Sequence, residues 1–171
     1  MINLSPQDVV TWDEPIEMLY ACHSKVKRFC HQLSILPNYL AEHGVNQAVK
    51  NDVKQIITYF NQSAPLHHQD EEDDFFPALL AKAPQVQSEI EKLEAQHILL
   101  HQNWDNLSRQ LEELVQEKRT HIDAELIRQF IAGYDAHIAI EEPLFELGKQ
   151  YLSPEQLNAM GKIMFARRCV K

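Results

Sequence analysis

Glycine is scarce in this chain, with four in 171 residues, and no segment alternates apolar and polar residues as a half-buried strand would. These absences exclude a turn-rich β fold and leave helices. Cations are in deficit as well: 16 Lys and Arg face 25 Asp and Glu, for a formal net charge of −9. Nucleic acid and anionic membrane surfaces select for clustered Lys and Arg, so neither is the expected partner. The one basic run, "ARRCVK", reads as the complement of the negative end of a last helix, with Arg167 and Arg168 at that end. Apolar runs of membrane-spanning length are missing, and "MINLSPQDVVTWDEP" has neither the basic start nor the apolar stretch of a signal peptide. A cytoplasmic protein is expected. Cysteine is limited to Cys22, Cys30 and Cys169, an odd number in no metal-binding spacing. In a helix the first two stand about 12 Å apart along the axis, beyond disulfide reach; all three read as reduced packing thiols.

What the chain does contain is apolar residues, 44% of the total, recurring at intervals of three and four. The length suits a single domain, 1–171. Punctuation predicts a first helix over 14–42, bent near Pro37 and ending at His43 and Gly44. A second is predicted over 46–82, interrupted by Pro65 and Pro77, a third over 84–118 and a fourth over 123–151. The "SPEQ" stretch opens a short fifth helix, about 154–168, with Ser153 as cap, Pro154 at the first helical position and Gln156 completing a capping box. The fold class is all-α: an antiparallel up-down four-helix bundle over about 14–151, with the short C-terminal helix packed outside.

The apolar seams are interrupted at one level. On the third predicted helix, Ile90, Leu93, Leu100, Trp104, Leu107, Leu111 and Leu114 form a stripe, and the position that would complete it is His97. The fourth gives Phe130, Tyr134, His137, Glu141 and Leu144. The first gives Ile16, Leu19, His23, Val26, Cys30 and Leu33. On the second, His67 and Glu71 are one turn apart and share a face. Ionisable groups therefore enter the core stripe near the middle of every long helix.

Two segments echo each other. "HHQDEEDDF" and "HIAIEEPLF" both read His-x-x-x-Glu-Glu-x-x-Phe, which pairs His67 with His137, Glu71 with Glu141 and Glu72 with Glu142. "HILLH" adds His97 and His101, one turn apart and able to address one metal together. The candidate set is His23, His67, Glu71, His97, His101, His137 and Glu141. Imidazole with carboxylate and no thiolate suits iron, manganese or zinc, and so many donors exceed the needs of one ion, so two metals are implied. His68 and Glu72, one position out of phase, are expected to be outer partners of the ligands or exposed. Pro65, just upstream, is the feature most able to rotate the helix away from this register. His31, His43 and His121 are expected at the surface, as are the acids Asp70, Asp73, Asp74 and Glu142. Trp104 and Tyr134 read as core.

The lone histidine in "EMLYACHSKVKRF", the stretch "HHQDEEDDFFP", the His-x-x-x-His pair and "HIAIEEPLF" together resemble the hemerythrin-like (HHE cation-binding) domain family over roughly 14–148. The resemblance implies a non-haem di-iron centre, two iron ions bridged by carboxylates and an oxide or hydroxide. By position it assigns His97, His101 and His137 to one iron and His23 and His67 to the other, with Glu71 and Glu141 bridging. The second iron is then one donor short, a place for a small diatomic such as O₂ or NO. Oxygen carriers of the family usually bridge with an Asp on the fourth helix where this chain has Glu141, a departure that counts against reversible carriage.

The function expected is binding or sensing of O₂, NO or oxidants, or buffering of iron, rather than an enzymatic one. The alternative is a di-iron oxidoreductase acting on peroxide or nitric oxide. The chain carries no Fe–S cysteine set or flavin fingerprint, so such an activity needs a separate redox partner, just as sensing needs a signalling partner. A ferritin-like store would require two Glu-x-x-His motifs, and Glu94 with His97 is the only instance.

Overall fold

A computed structural model describes residues 10–170; the first nine residues, including most of the segment read as lacking a signal peptide, and Lys171 lie outside the described residues. Helices account for nearly all of the described chain, and no strand occurs among the described residues. Helix α1 spans Pro15–His43 and closes at Gly44, whose φ of 69° places it in the left-handed region and whose N–H reaches Leu40 O. Helix α2 is one continuous helical run, 47–82, opened by the Asn46 side chain accepting from Val49 N. After the 3₁₀ turn Pro84–Val86 come α3, Gln87–Val115, and α4, Ala124–Tyr151, capped by Asp123. Helix α5 spans Pro154–Cys169, and the capping box read at Ser153 and Gln156 is present.

Two expectations about helix continuity are corrected. Pro65 and Pro77 do not interrupt α2, because a π-helical turn precedes each of them: Tyr59–Ser63 before Pro65 and Asp70–Phe75 before Pro77. The N–H groups of Ala64 and Phe76 reach back five residues, to Tyr59 O and Glu71 O. The wider turn accommodates a residue that has no N–H and whose ring would strike the carbonyl of a regular α-helix. The buried positions Phe60 and Ala64, then Glu71, Phe75, Leu79 and Ala83, run in steps of four, which a regular helix would carry steadily out of the core. The π-turns absorb that drift. Helix α3 stops at Val115, short of the expected 118, where the chain turns through Glu117 at φ 58°.

The helices form a bundle in which α4 packs against α1, α2 and α3, and α3 against α2. Its interior is divided. One apolar cluster contains Val26, Leu33, Phe60, Leu100, Leu107 and Phe130, and the other Leu19, Phe75, Phe76, Leu93, Leu144 and Phe145. On every long helix the buried polar residues fall between members of the two clusters: His23 between Leu19 and Val26, His97 between Leu93 and Leu100. The helix seams thus bring a polar layer to one level between two apolar plugs. No helix of the described residues is long and apolar enough to cross a membrane.

The second plug is packed tightly enough to make one glycine indispensable. A Cβ on Gly148 would stand 2.5 Å from Phe75 Cε2, 2.9 Å from Phe75 Cζ and 3.2 Å from Ile16 Cδ1. Replacing a helical glycine by alanine gains about 1 kcal/mol of propensity, but overpacking costs about 1–3 kcal/mol and the Phe75 ring, 0% exposed, has nowhere to go. Gly148→Ala is expected to lower the thermal midpoint by several degrees; a midpoint raised by the propensity gain would show that the plug can yield.

Candidate metal centre

Four helices contribute to the polar layer, and each donor is delivered by the seam it interrupts. His23 comes from α1, His97 from α3, His137 and Glu141 from successive turns of α4. Helix α2 supplies more than a regular helix could. Between and beside its π-turns the adjacent pairs His67 and His68, Asp70 and Glu71, and Phe75 and Phe76 are all buried, because the widened turns present neighbouring residues to the same side.

The side chains assemble into two groups of donor atoms, each group lying within 4.8 Å: His23, His67, Glu71 and Glu141, and His68, Glu71, His97 and His137. Glu71 belongs to both. Glu141 also spans them, with Oε1 3.2 Å from His23 Nε2 and Oε2 2.5 Å from His137 Nε2. Of the candidates from the sequence, His23, His67, Glu71, His97, His137 and Glu141 lie in these groups. His101 does not. It is exposed, and its Nε2 lies 3.1 Å from Nδ1 of His68. His68 itself, expected to be exposed or an outer partner, is buried at 4% exposure and stacked on His97 with ring centroids 3.9 Å apart. The physical reason is the phase of α2. The repeat that pairs His67 with His137 presumes a regular helix, whereas the π-turns let both imidazoles of the "HH" pair face inward.

The layer is electrically unbalanced as it stands. Glu71 and Glu141 are both 0% exposed, and neither carboxylate makes a hydrogen bond; the same holds for both ring nitrogens of His23 and for His67 Nε2. Two buried carboxylates without partners cost several kcal/mol or more. On the other side, His97 Nδ1 donates to Glu72 Oε1 at 2.7 Å and His137 Nδ1 to Gln96 Oε1 at 2.9 Å. Both Nε2 atoms are then bare acceptors, facing one another at 3.1 Å. Burial holds each of these two imidazoles down to about 3, and holds those of His67 and His68 well below the ordinary histidine value. Neutral imidazole lone pairs and buried carboxylates converging on two points are what a pair of cations would neutralise, so the donor set fits metal. Cys22 is not a rival ligand: burial pushes its thiol up to about 11, and it hydrogen-bonds the Tyr59 hydroxyl at 2.6 Å.

Two acids beside the donors also act on the site, Glu72 as the outer partner that was one of its expected roles and Glu142 from a position expected at the surface. Glu72 orients His97, and Glu142, its counterpart in the repeat, lies 3.8 Å from His23 Nδ1 and 3.6 Å from Lys27 Nζ. Outward acceptors of this kind set the ring tautomer and its direction. Asp70 is a correction. Expected on a solvated outer face, it is 0% exposed and paired with Arg167 and Arg168. Asp73 is exposed, and His31, His43 and His121 lie at the surface. The Phe145 ring stacks on His23 and the Phe76 ring on His97, at centroid distances of 5.1 and 6.3 Å, and Trp104 and Tyr134 are core residues of the first apolar cluster.

The lowered imidazoles make the metal-free chain acid-sensitive. Once unfolded, His67, His68, His97 and His137 take up protons below about pH 6.5 that the folded chain refuses until much lower pH. Their contribution is thus fully present above that value and is lost as pH falls, by about 1.4 kcal/mol per pH unit for each proton bound only by the unfolded state. Glu141, Asp70, Glu72 and Glu94, all raised by burial, act in the opposite sense, since their folded forms hold protons that the unfolded forms release. The unfolded histidines take up their protons inside the window between pH 7 and pH 5, whereas the ordinary carboxyl values lie below it, so the urea midpoint of metal-free protein is expected to fall across that window. A midpoint that stays level or rises would mean that these imidazoles are not held neutral.

Comparison with known proteins agrees with this chemistry and with the resemblance read from the motifs. An uncharacterized protein of Haemophilus influenzae is 65% identical over 168 residues, covering 98% of each chain. The profile described as the hemerythrin HHE cation binding domain matches residues 14–147, a span that includes every donor in the two groups. The chain belongs to the hemerythrin HHE cation-binding domain family.

Proposed function

We propose that this chain is a cytoplasmic non-haem di-iron protein that binds or senses a small oxidant or diatomic such as O₂ or NO. The observation that carries this reading is the pair of four-donor groups sharing Glu71, which suits two ions of borderline hardness and has no other evident use in a core. In this assignment His68, His97 and His137 hold one iron, His23 and His67 the other, and Glu71 and Glu141 serve both. His101 acts through His68, whose ring it steadies. Two irons supply small-ligand coordination and one-electron redox chemistry at this layer. The chain's own part is to keep imidazoles neutral, to hold their rings through Glu72 and Gln96, and to exclude water with an apolar plug on each side. The side held by His23 and His67 is one imidazole short of the other, and there we place the exogenous ligand, against the Phe145 ring. An antiparallel up-down order of the four long helices belongs to this reading, supported by their packing partners and the short connections 44–46, 83–86 and 116–123.

Elemental analysis after anaerobic loading is expected to approach two irons per chain, and a stable value of one would remove the shared-carboxylate assignment. The metal-loaded form should also unfold at a higher temperature than the metal-free form. Adding O₂ or NO to the ferrous protein should give a persistent change in its optical spectrum; rapid conversion to a ferric product that cycles with added reductant would favour an oxidoreductase instead. The histidines separate by mutation. His68→Ala is expected to lose iron from one side, whereas His101→Ala should keep both irons with a loss of affinity on the order of 10- to 100-fold at most. The reverse result would return the third imidazole to His101.

A further inference from the structure

Helix α5 lies beyond the residues matched to the family, yet its last turn reaches the metal layer. Asp70, buried in the π-turn Asp70–Phe75 beside Glu71, receives three guanidinium contacts: Arg167 Nη1 at 2.5 Å, and Arg168 Nη2 at 2.6 Å and Nη1 at 3.1 Å. Arg167 Nη2 continues to Asp74 Oδ2 at 2.7 Å, so the two arginines grip the turn on both sides of Glu71. The arginines are themselves held. Arg168 Nη1 donates to Met164 O at 2.9 Å, and its guanidinium lies 4.1 Å over the Trp12 ring. Below them Met160 and Met164 are buried in the second apolar cluster, and Gly161 passes so close to the Trp12 carbonyl that a Cβ would collide with it.

The consequence concerns Glu71. Its two oxygens make no hydrogen bond; the imidazole nearest to them, His67 Nε2 at 3.2 Å from Oε1, stands on the same helix one turn away and so cannot fix the direction of the carboxylate shared by both donor groups. Its direction is set by the backbone of a wide turn, an uncommon geometry. A one-residue change in the phase of that turn would rotate its residues by about 100° relative to the helix above, taking Glu71 out of one group or both. Bidentate arginine contacts have the directionality needed to hold such a turn in place.

We propose that Arg167 and Arg168 are positioning residues of the metal centre, closing on Asp70 and Asp74 to hold the turn from which Glu71 reaches both donor groups. This role rests on the two-iron reading above. It is tested in the full chain with ferrous iron as the probe, using chelator competition for affinity, optical spectra for the coordination sphere, and circular dichroism and thermal midpoints of metal-free protein for the fold. The Arg167→Gln/Arg168→Gln variant is expected to stay helical and to hold iron about 10- to 100-fold more weakly, with an altered spectrum. Arg168→Lys, which keeps the charge and the fold but loses the fork, should fall between that variant and wild type, and it decides the matter if the double variant does not fold. Met164→Ala loosens the seating of α5 without touching either guanidinium; it should lower the metal-free midpoint yet keep wild-type affinity and spectrum. Wild-type affinity and spectrum in the arginine variants, or equal weakening in Met164→Ala, would overturn the positioning role while leaving the two-iron reading intact. A wild-type chain that takes up no iron would overturn both.

Discussion

Two carboxylates buried without a hydrogen bond are the constraint around which this molecule is arranged. Glu71 and Glu141 sit at 0% exposure and make no hydrogen bond, beside the bare Nε2 acceptors of His97 and His137. In a purely apolar bundle their desolvation would exceed what nearby packing returns. The flanking clusters can be as apolar as they are because the polar groups are gathered into a single layer, where cations can neutralise them together. A cation bound at this layer would be coupled to folding by electrostatics as well as by geometry.

The layer is nearly symmetric in sequence and unsymmetric in structure. In both repeats the second glutamate points away from the centre toward a histidine on another helix, Glu72 to His97 and Glu142 to His23, but the separations are 2.7 and 3.8 Å. Helix α4 carries its repeat on a regular α-helix, even through Pro143. Helix α2 carries the other across two π-turns and so delivers an additional imidazole and the buried Asp70. The three-against-two division of histidines arises from this difference in backbone. Helix α5 extends the same asymmetry, because its arginines brace the α2 side of the layer and make no equivalent contact with α4 among the described residues.

Much of this was legible in the chain itself, for a physical reason. A seam in a helical bundle has a fixed period, so a histidine or glutamate standing where an apolar residue belongs must enter the core. Ile90, Leu93, His97, Leu100, Trp104, Leu107, Leu111 and Leu114 are the buried residues of α3, and the stripe read on α4 from Phe130 to Leu144 is buried as well. The helix ends at Gly44 and Ser153 follow from local backbone chemistry and needed no tertiary information.

Wherever the period itself changed, the chain alone was insufficient. The phase of α2 depends on where the extra residues of its π-turns are absorbed, which is decided by packing against α1, α3 and α4. That phase brings His68 inward and leaves His101 behind it in solvent. The run of buried positions in steps of four, together with Pro65 and Pro77, is the local trace of the change, but its direction is not a local property. The pairing of Asp70 with Arg167 and Arg168, 97 and 98 residues away, is likewise invisible to composition: an acid followed by four others reads as solvated face. Fold class, capping and the level of the polar layer were determined by the sequence through its periodicity and end signals; the identity of the inward imidazoles and the bracing of Glu71 were decided by tertiary packing, because both depend on how far one helix is turned against its neighbours.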